Sequence, residues 1–370
     1  MILAQTTVDT AAREPGAPVA SVSLRVLFVT GSQGYPSGLS GYDRVVSGFS
    51  SSSVCGYDRR SPGWMRPANP LARALAVSRW ALPATIFNEL RAARRLVRER
   101  FDLVHVLWGE RDLGIIDRVA ARQGVPLVVT FHAPYHRDPN PVRRTAAVRK
   151  LAGVVLVSSS QLPFFSDLLP PAVPRRVILH GIDTRAFRPD SEHRADGPFV
   201  VCFVGSFRRD FSVLERVIAR FEGEPGVEFR LLIPDGARER FGRFKNVKFA
   251  AKLSDEELAE FYRQSSCLLM TLEDSTANNA VIEALASGLP IVAEDVGGTR
   301  EYVGDVAARL LPKGDVDGLA LALRELRADE AVRRRMGAAA RRRAEALSWS
   351  CVNQELGSFY NEVLRRNAHG

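Results

Sequence analysis

The sequence predicts an α/β fold in which two doubly wound domains face each other across a cleft. The chain has 370 residues, which is enough for two domains of ordinary size. Short apolar runs alternate with segments of helical spacing, a pattern typical of βαβ units built around a parallel sheet. The polar segment 188–198 has no periodicity and interrupts this alternation, which then begins again. We therefore expect a linker there, with one parallel sheet on each side of it.

The first half of the chain contains five apolar runs of strand length, at 24–30, 102–108, 126–132, 153–159 and 175–181. Helical segments lie between them, and the clearest are 85–101 and 111–124, the second of which ends at a glycine. Because the strands are apolar on both faces, helices are expected on both sides of the sheet. The alternation of strands and helices in this half predicts a Rossmann-like domain over residues 23–190. A disordered tail at 1–22, without the features of a secretory signal, is expected to precede it.

The second half repeats the pattern with strand-length runs at 199–205, 228–234, 246–251, 267–272 and 289–295. Ser254 is followed three residues later by Glu257 at the start of a helical segment, which is the signature of a capping box. These elements predict a second Rossmann-like domain over 191–347. The last helical segment, 348–370, is expected to cross back to the first domain.

The net charge of +9 is unevenly distributed along the chain. Up to residue 195 there are 26 basic and 15 acidic residues, an excess of +11, and the remainder carries −2. Five arginines fall in the helical stretch 91–100. This pattern indicates either a solvated helix face or contact with an anionic membrane or acceptor, and no nucleic-acid motif accompanies it. The arginines of the segment 333–343 are interpreted as solvated.

The cysteines and the hydropathy pattern bear on the cellular compartment. The four cysteines are far apart and form no CxxC motif, so neither a zinc site nor a disulfide framework is predicted. No apolar run reaches the length of about 18 residues that a transmembrane helix needs. We expect a cytoplasmic protein, and the basic half leaves peripheral contact with the inner membrane face open.

Asp315 and Asp317 lie at the start of a helical segment that follows Gly314. We therefore predict that they cap this helix and do not form a metal site.

The segment 272–303 carries the strongest functional signal. A strand ends at Leu272, and a polar loop leads to a helix that begins near Asn278. Backbone amides and the helix dipole at such an N-terminus favour a phosphate group. Glu283 lies about one and a half turns further along, where its carboxylate could accept hydrogen bonds from both hydroxyls of a ribose. The segment therefore predicts a nucleotide site, although an ordinary α/β crossover can have a similar composition.

Residues 283–292, with the sequence Glu-Ala-Leu-Ala-Ser-Gly-Leu-Pro-Ile-Val, resemble a signature of the retaining nucleotide-sugar glycosyltransferases of fold GT-B, family 4. Further landmarks of that family follow one another in the right order between residues 24 and 366. They are the glycine-containing loop 40–46, the strand end Thr130-Phe131-His132, the segment 177–189, the turn Gly297-Gly298 with Glu301, and Ser348-Trp349. The resemblance thus covers nearly the whole chain and implies the GT-B fold.

The resemblance also implies an activity. A member of this family is expected to move a sugar, of the hexosyl type, from a UDP- or GDP-linked donor to an acceptor hydroxyl with retention of configuration. In the family the leaving phosphate oxygen helps to deprotonate the acceptor on the same face, without a metal or a cofactor. The acceptor could be an envelope glycan or glycolipid, or a small secondary metabolite. The segment 47–70 is interpreted as a loop that lines the acceptor side.

Roles for individual residues follow from the same resemblance. His132 is implied to hydrogen-bond the donor sugar near the reacting carbon, and Tyr42 and His136 are expected on the acceptor side. The implied donor-binding residues are Gly41, Gly205, Ser206, Asp274, Ser275, Asn278, Asn279, Ala280 and Glu283. His105 also belongs to a family motif, but we expect it to be structural.

Two features depart from the family pattern. The family usually has Arg after Val-Gly and Lys five residues later, both bound to the diphosphate, whereas this chain has Ser206 and Phe211 there. Arg208 and Arg209 lie between these positions and are predicted to replace the missing cations, because a guanidinium is well suited to phosphate. The first Glu of the family pair maps to Ser275, which leaves the donor sugar open. The alternative function is a non-catalytic GT-B protein that binds a nucleotide sugar or partners an active glycosyltransferase.

Overall fold

A computed structural model of the chain describes residues 24–30, 39–49, 53–55, 83–135, 145–189 and 197–368. The first described half contains six strands and four helices: β1 Val26–Val29, β2 Ser53–Cys55, α1 Pro83–Arg98, β3 Leu103–Val106, α2 Ile116–Gln123, β4 Leu127–Phe131, α3 Thr145–Val148, β5 Gly153–Leu156, α4 Leu162–Leu168 and β6 Arg175–Val177. The strands form one parallel sheet in the order β2-β1-β3-β4-β5-β6. The tail predicted at 1–22 lies outside the described residues.

The second half forms another six-stranded parallel sheet, in the order β12-β11-β10-β7-β8-β9. Its elements are β7 Phe199–Val204, α5 Phe211–Ala219, β8 Val227–Leu232, α6 Asp235–Arg238, β9 Val247–Phe249, α7 Asp255–Arg263, β10 Cys267–Met270, α8 Asn279–Ala286, β11 Ile291–Glu294, α9 Thr299–Val303, β12 Ala308–Leu311, α10 Val316–Ala328 and α11 Glu330–Ala346. The long helix α12, Trp349–Ala368, follows. The predicted class of two doubly wound α/β domains is confirmed.

The ends of two helices agree with their sequence signals. Ser254 accepts a hydrogen bond from the backbone of Glu257, and the Glu257 side chain accepts one in return, so the capping box before α7 is confirmed. Gly124 ends α2 with φ +65°, a left-handed conformation that glycine adopts without steric cost. These local signals fix the end of α2 and the start of α7.

Two edge strands were not predicted from the sequence. Residues 53–55 form β2 beside β1, so the interpretation of 47–70 as a continuous loop is wrong at these positions. Residues 308–311 form β12 beside β11, and only its first residue is buried. An edge strand is covered on fewer sides than a central one, so its sequence need not carry a continuous apolar run.

Helix α12 belongs structurally to the first domain, although it comes last in the chain. Alternate residues of β1 point to opposite faces of the sheet: Leu27 and Val29 pack with α1 and α2, and Val26 and Phe28 pack with α12. The buried residues of α12 are Trp349, Val352, Leu356, Phe359, Tyr360 and Val363. The terminal helix therefore supplies one of the two layers that cover the N-terminal sheet.

His105 links β3 to this terminal helix. Its ring is fully buried, with Nδ1 2.5 Å from the hydroxyl of Tyr360 and Nε2 2.8 Å from that of Thr130. Burial lowers the pKa of His105 to about 3, so the ring stays neutral in the folded protein. Both nitrogens face protein groups, which confirms the structural interpretation of this histidine.

Folding stability is expected to decrease on acidification because of His105. Below the unfolded-state pKa of about 6.5 the unfolded chain binds a proton that the folded chain cannot, so this contribution to stability is lost as pH falls. Between pH 6 and pH 5 the loss from this one residue is about 1 kcal/mol. A His105→Gln variant, which can still bond both hydroxyls, should show a slope smaller by that amount in urea unfolding across this interval. Parallel pH profiles for the two proteins would contradict the assignment.

The prediction of solvated arginines at 333–343 is wrong for three of them. Arg333 donates from Nη1 to the carbonyl oxygens of Leu326 and Arg327 on α10. Arg341 donates from Nη1 to the carbonyl oxygens of Thr184, Phe187 and Ala286. Arg343 donates to the carbonyls of Glu301 and Tyr302 on α9. The carbonyls bound by Arg341 and Arg343 come from segments distant in sequence, so the helical spacing of α11 could not reveal the contacts.

The chain passes between the domains twice, and the two passages lie side by side. The amide of Ile182, just before the first passage, donates to the carbonyl of Leu347 at the second, over 3.0 Å. Ile182 also forms an isolated parallel bridge with Ser348. The two connections are therefore hydrogen-bonded to each other at the boundary between the domains.

Candidate active site

A cavity of about 640 Å³ lies between the two domains, where the carboxyl ends of strands from both sheets meet. In doubly wound folds this edge of the sheet is where ligands bind. Every predicted site residue within the described part of the chain lines the cavity: Gly41, Tyr42, His132, Gly205, Ser206, Arg208, Arg209, Asp274, Ser275, Asn278, Asn279, Ala280 and Glu283. His136, predicted on the acceptor side, lies outside the described residues.

The N-terminus of α8 forms one wall of the cavity. Asn278 is the N-cap residue, but its side chain makes no capping bond; instead its Oδ1 accepts a hydrogen bond from Arg209 over 3.0 Å. Its Nδ2 is buried and has no hydrogen-bond partner among the described residues. The first amides of α8, the helix dipole and this amide group together give the wall a set of donors suited to an anion.

Arg209 is held against that wall by two backbone carbonyls. Its Nε donates to Val204 over 3.1 Å and its Nη1 to Phe207 over 3.2 Å. Gly205 has φ +95°, and a Cβ there would lie 3.1 Å from Nη2 of Arg209. The glycine therefore serves both the turn after β7 and the approach of the guanidinium to the α8 N-terminus.

The neighbouring positions of the loop differ from Arg209. Phe211, at the position where the family usually has Lys, is partly buried and packs its ring against Phe203 and Phe241 at the edge of the core. Arg208 has φ +57°, an unusual value for a residue with a side chain, and its guanidinium carbon lies 5.8 Å from the centre of the Phe207 ring. Both arginines line the cavity, but Arg209 is the one bonded to the α8 N-cap.

Glu283 reaches the cavity from the second turn of α8 and is 3% exposed. Its Oε2 accepts a hydrogen bond from the hydroxyl of Tyr262 over 2.7 Å, and the side chain of Ser40 in the first domain is a second partner. Burial raises the pKa of Glu283. A carboxylate has about four acceptor positions, so these two partners leave capacity for ligand hydroxyls.

Asp274 and Ser275 form the loop between β10 and α8. The Asp274 carboxylate accepts the amide of Ser275 over 2.8 Å and is almost fully buried. The turn at Gly297 and Gly298 packs directly on this loop: a Cβ at Gly297 would lie 1.9 Å from the Ser275 carbonyl. One at Gly298 would lie 2.5 Å from Ser158 Oγ in the first domain. Because neither glycine has a side chain, the loop can pack on Gly297 and the first domain can pack on Gly298.

His132 faces the cavity from the end of β4. Its Nε2 lies 2.8 Å from the carbonyl of Leu107, which can only accept, so Nε2 carries the proton and Nδ1 is left as an acceptor. Burial and the nearby His180 hold the pKa of His132 well below its ordinary value, so the ring is neutral. The ring of Trp108 stacks on it at 3.9 Å, and Tyr42 packs edge-on at 4.7 Å.

Three residues of this site were not assigned a role from the sequence. Glu110 accepts the backbone amides of His132 and Ala133 and the hydroxyl of Tyr135, so it organises the loop that carries His132. Trp108 and His180 line the cavity. The signal for Trp108 and Glu110 was their place just after a buried strand. The signal for His180 was its place in the family-like segment 177–189, where the family usually has Asn.

Contacts across the cleft involve α9 as well. The carboxylate of Glu301 accepts the amide of Ser159, 2.9 Å from Oε2, and the hydroxyls of Ser158 and Ser159. The hydroxyl of Tyr302 accepts the amide of His180 and donates to the carbonyl of Val157. The family-like turn that ends in Glu301 therefore joins the two domains beside the cavity.

Asp315 accepts the amide of Gly318 at the start of α10, so the capping interpretation is confirmed. Across the described ranges, no group of three or more His, Cys, Asp or Glu side chains has an arrangement that could hold a metal ion.

Comparison with known proteins identifies the family. Residues 56–186 match the model of "Glycosyltransferase Family 4", and residues 198–329 match that of "Glycosyl transferases group 1". The MMP alpha-(1->4)-mannosyltransferase of Mycolicibacterium hassiacum is 30% identical over 312 residues, 75% of each chain. The chain belongs to the family 4-like glycosyltransferases of the GT-B fold. This glycosyltransferase therefore has the fold and the general activity that its motifs implied.

Solved structures agree on the fold of the glycosyltransferase. Sucrose-phosphate synthase from Thermosynechococcus elongatus superimposes with a TM-score of 0.70 at 17% identity, over 92% of this chain and 99% of the other. Anabaena HepE, in complex with UDP-glucose, gives a TM-score of 0.68 at 17% identity, over 92% and 100%. At this level of identity the comparison bears on the fold alone.

The described residues include no membrane-spanning helix. None of the helices found there combines the length and the apolar composition needed to cross a bilayer.

Proposed function

We propose that the glycosyltransferase moves a hexosyl group from a UDP- or GDP-linked donor to an acceptor hydroxyl with retention of configuration. The observation that carries the proposal is the convergence of Arg209, the α8 N-terminus and Glu283 on one cavity between the domains. These groups suit, in turn, a phosphate charge, a second phosphate and the hydroxyls of a ribose. A nucleoside diphosphate presents those groups in that order.

The reaction exchanges one bond at the anomeric carbon for another. The bond from C1 to the β-phosphate oxygen breaks, and a bond from C1 to the acceptor oxygen forms on the same face. The acceptor proton passes to an oxygen of the departing diphosphate. The protein's part is to orient the two substrates and to offset the negative charge that develops on the leaving group.

His132 contributes an acceptor and not a positive charge. Because its Nε2–H is engaged by Leu107, the neutral ring offers Nδ1 to a donor-sugar hydroxyl. Glu110 fixes the backbone at this position, and Trp108 fixes the plane of the ring. Tyr42, packed edge-on against His132, borders the side of the cavity assigned to the acceptor, either an envelope glycan or glycolipid or a small metabolite.

The relatives are compatible with either type of nucleotide. One curated relative is a mannosyltransferase, and one structural neighbour is in complex with UDP-glucose. The test is a thermal-shift screen of UDP, GDP and their sugar conjugates. A nucleotide at a hundred times its Kd should add about 2.7 kcal/mol to the free energy of unfolding. Hydrolysis of the stabilising nucleotide sugar without acceptor should then be measurable; stabilisation with no hydrolysis or transfer would favour the non-catalytic alternative.

Transfer is expected to persist in a chelator. The charge of the leaving diphosphate is offset in this proposal by the Arg209 guanidinium and the amides of α8, so catalysis needs no divalent cation. The measurement compares initial rates with and without EDTA, followed by addition of Mg²⁺ or Mn²⁺. A rate abolished by EDTA and restored by either ion would overturn this part of the proposal.

A further inference from the structure

His180 places an unused hydrogen-bond acceptor in the cavity. The residue is 3% exposed and lines the cavity wall. Its Nδ1 lies 2.7 Å from the carbonyl oxygen of Gly181, which can only accept, so Nδ1 carries the proton. Burial lowers the pKa of His180 to about 4, so the ring is neutral and Nε2 is an acceptor. Within the described part of the chain, Nε2 has no hydrogen-bond partner.

The packing around His180 fixes the position of this acceptor. The ring of Tyr42 lies edge-on to the imidazole at 5.2 Å, and the ring of Trp349 lies at 5.3 Å. A Cβ at Gly181 would lie 2.4 Å from Cε3 of Trp349, so the glycine is what allows the indole to come this close. The amide of His180 donates to the hydroxyl of Tyr302 over 2.8 Å. Ring and backbone are thus both held, and a ligand that binds Nε2 need not order the side chain first.

His180 and His132 present their rings in the same way. Each imidazole has one nitrogen within hydrogen-bond distance of a backbone carbonyl and the other left as an acceptor. Both rings contact the ring of Tyr42, at 5.2 and 4.7 Å. The first domain therefore offers two neutral acceptors beside one aromatic ring. A sugar suits such a pair, because each of its hydroxyls can donate a hydrogen bond.

Contacts with the second domain place the pair next to the donor. The carbonyl of His132 accepts the hydroxyl of Thr276, in the loop that also carries Asp274 and Ser275. His180 is bonded to α9, which begins directly after the glycine turn that packs on the same loop. The two imidazoles therefore lie where the donor-binding loop meets the first domain.

We propose that Nε2 of His180 accepts a hydrogen bond from a hydroxyl of the donor sugar and so determines which hexose the enzyme uses. This inference rests on the proposed function. The amide of an Asn, which is usual at this position in the family, can either donate or accept, whereas the imidazole bonded to Gly181 can only accept. A sugar without the matching hydroxyl would leave a buried acceptor unpaired and would be selected against.

The decisive variant is His180→Asn. An Asn amide lies where Nδ1 of a histidine does, so it can keep the bond to Gly181, but it has no atom at the position of Nε2. The assay is hydrolysis, without acceptor, of whichever of UDP-glucose and GDP-mannose the native protein uses. His180→Asn should lower kcat/KM about tenfold to a hundredfold, the effect of losing one hydrogen bond to a buried group. His180→Gln, whose amide reaches the Nε2 position, should recover part of it, and affinity for UDP or GDP alone should not change.

Deoxy derivatives of the donor hexose separate a contact from an effect on the fold. The native protein should discriminate against several of the 2-, 3-, 4- and 6-deoxy donors. His180→Asn should lose this discrimination at one position and keep it at the others. His105→Gln alters another fully buried histidine, which does not line the cavity, and should keep the native pattern at every position.

Native donor hydrolysis by His180→Asn, an equal loss of affinity for UDP or GDP alone, or native discrimination at all positions would overturn this role. A change confined to the KM for the acceptor, with native hydrolysis in its absence, would overturn it as well and assign His180 to the acceptor. If the native protein binds no nucleotide sugar, the proposed function itself fails, whereas binding with unchanged discrimination removes only the role of His180.

Discussion

Replacement of Arg209 by alanine is expected to lower turnover about 10²–10³-fold, the usual effect of removing one group that stabilises charge in the transition state. Arg209 is the guanidinium bonded to the α8 N-cap, and Phe211 offers no cation at the position usual in the family. Affinity for a nucleoside diphosphate should decrease more than affinity for the monophosphate, because the contact that Arg209 loses is to the β-phosphate, which the monophosphate lacks. Steady-state rates and isothermal titration would measure the two effects.

Arg208→Ala is the matched control, since Arg208 lines the same cavity but the bond to Asn278 comes from Arg209. We expect a smaller effect from it, and a double replacement close to Arg209→Ala alone. Arg209→Lys should recover only part of the activity, because an ammonium cannot form the forked contacts of a guanidinium. Diphosphate affinity and turnover within about twofold of the native values in Arg209→Ala would refute this role.

Replacement of Glu283 by alanine is expected to weaken nucleotide binding by about 1.5–3 kcal/mol, which is typical of hydrogen bonds to a charged group. The carboxylate is buried beside Tyr262 and Ser40 and has acceptor positions left for the two hydroxyls of a ribose. Titration calorimetry with UDP and GDP would measure the loss.

The specific control is a nucleotide that lacks both ribose hydroxyls, since its affinity should be the same for Glu283→Ala and for the native protein. Tyr262→Phe keeps the carboxylate while removing one of its two protein partners, and should change affinity for the complete nucleotide much less. An equal loss for both nucleotides in Glu283→Ala would mean that the carboxylate acts through the fold and does not contact the ribose.

The fold was predictable where central strands carry continuous apolar runs. The runs at 102–108 and 267–272 became β3 and β10, both buried throughout, because a strand with covered faces needs apolar residues at nearly every position, His105 being the exception in β3. The strands missed, β2 and β12, each form one edge of a sheet, whereas the opposite edge strands, β6 and β9, were predicted from their apolar runs. In β12 only Ala308 is buried, so the sequence there lacked the signal that identified the others.

The residues of the site were predictable as a set, but the contacts that distinguish them were not. Arg208 and Arg209 look equivalent in the sequence, and only the bond from Arg209 to Asn278 separates them. Glu110 acts through the backbone of His132, a contact between loops that follow different strands. Such relations depend on the order of the strands in the sheet, which no local pattern encodes.

During synthesis the N-terminal sheet leaves the ribosome long before α12, the helix that covers one of its faces. Until then Val26, Phe28 and Val155 lack the layer formed by Phe359, Tyr360 and Val363, and His105 lacks its bond to Tyr360. Domains usually fold in order from the N-terminus as they emerge. Here the first domain to emerge is completed last, because α12, which covers one face of its sheet, is synthesised after the second domain.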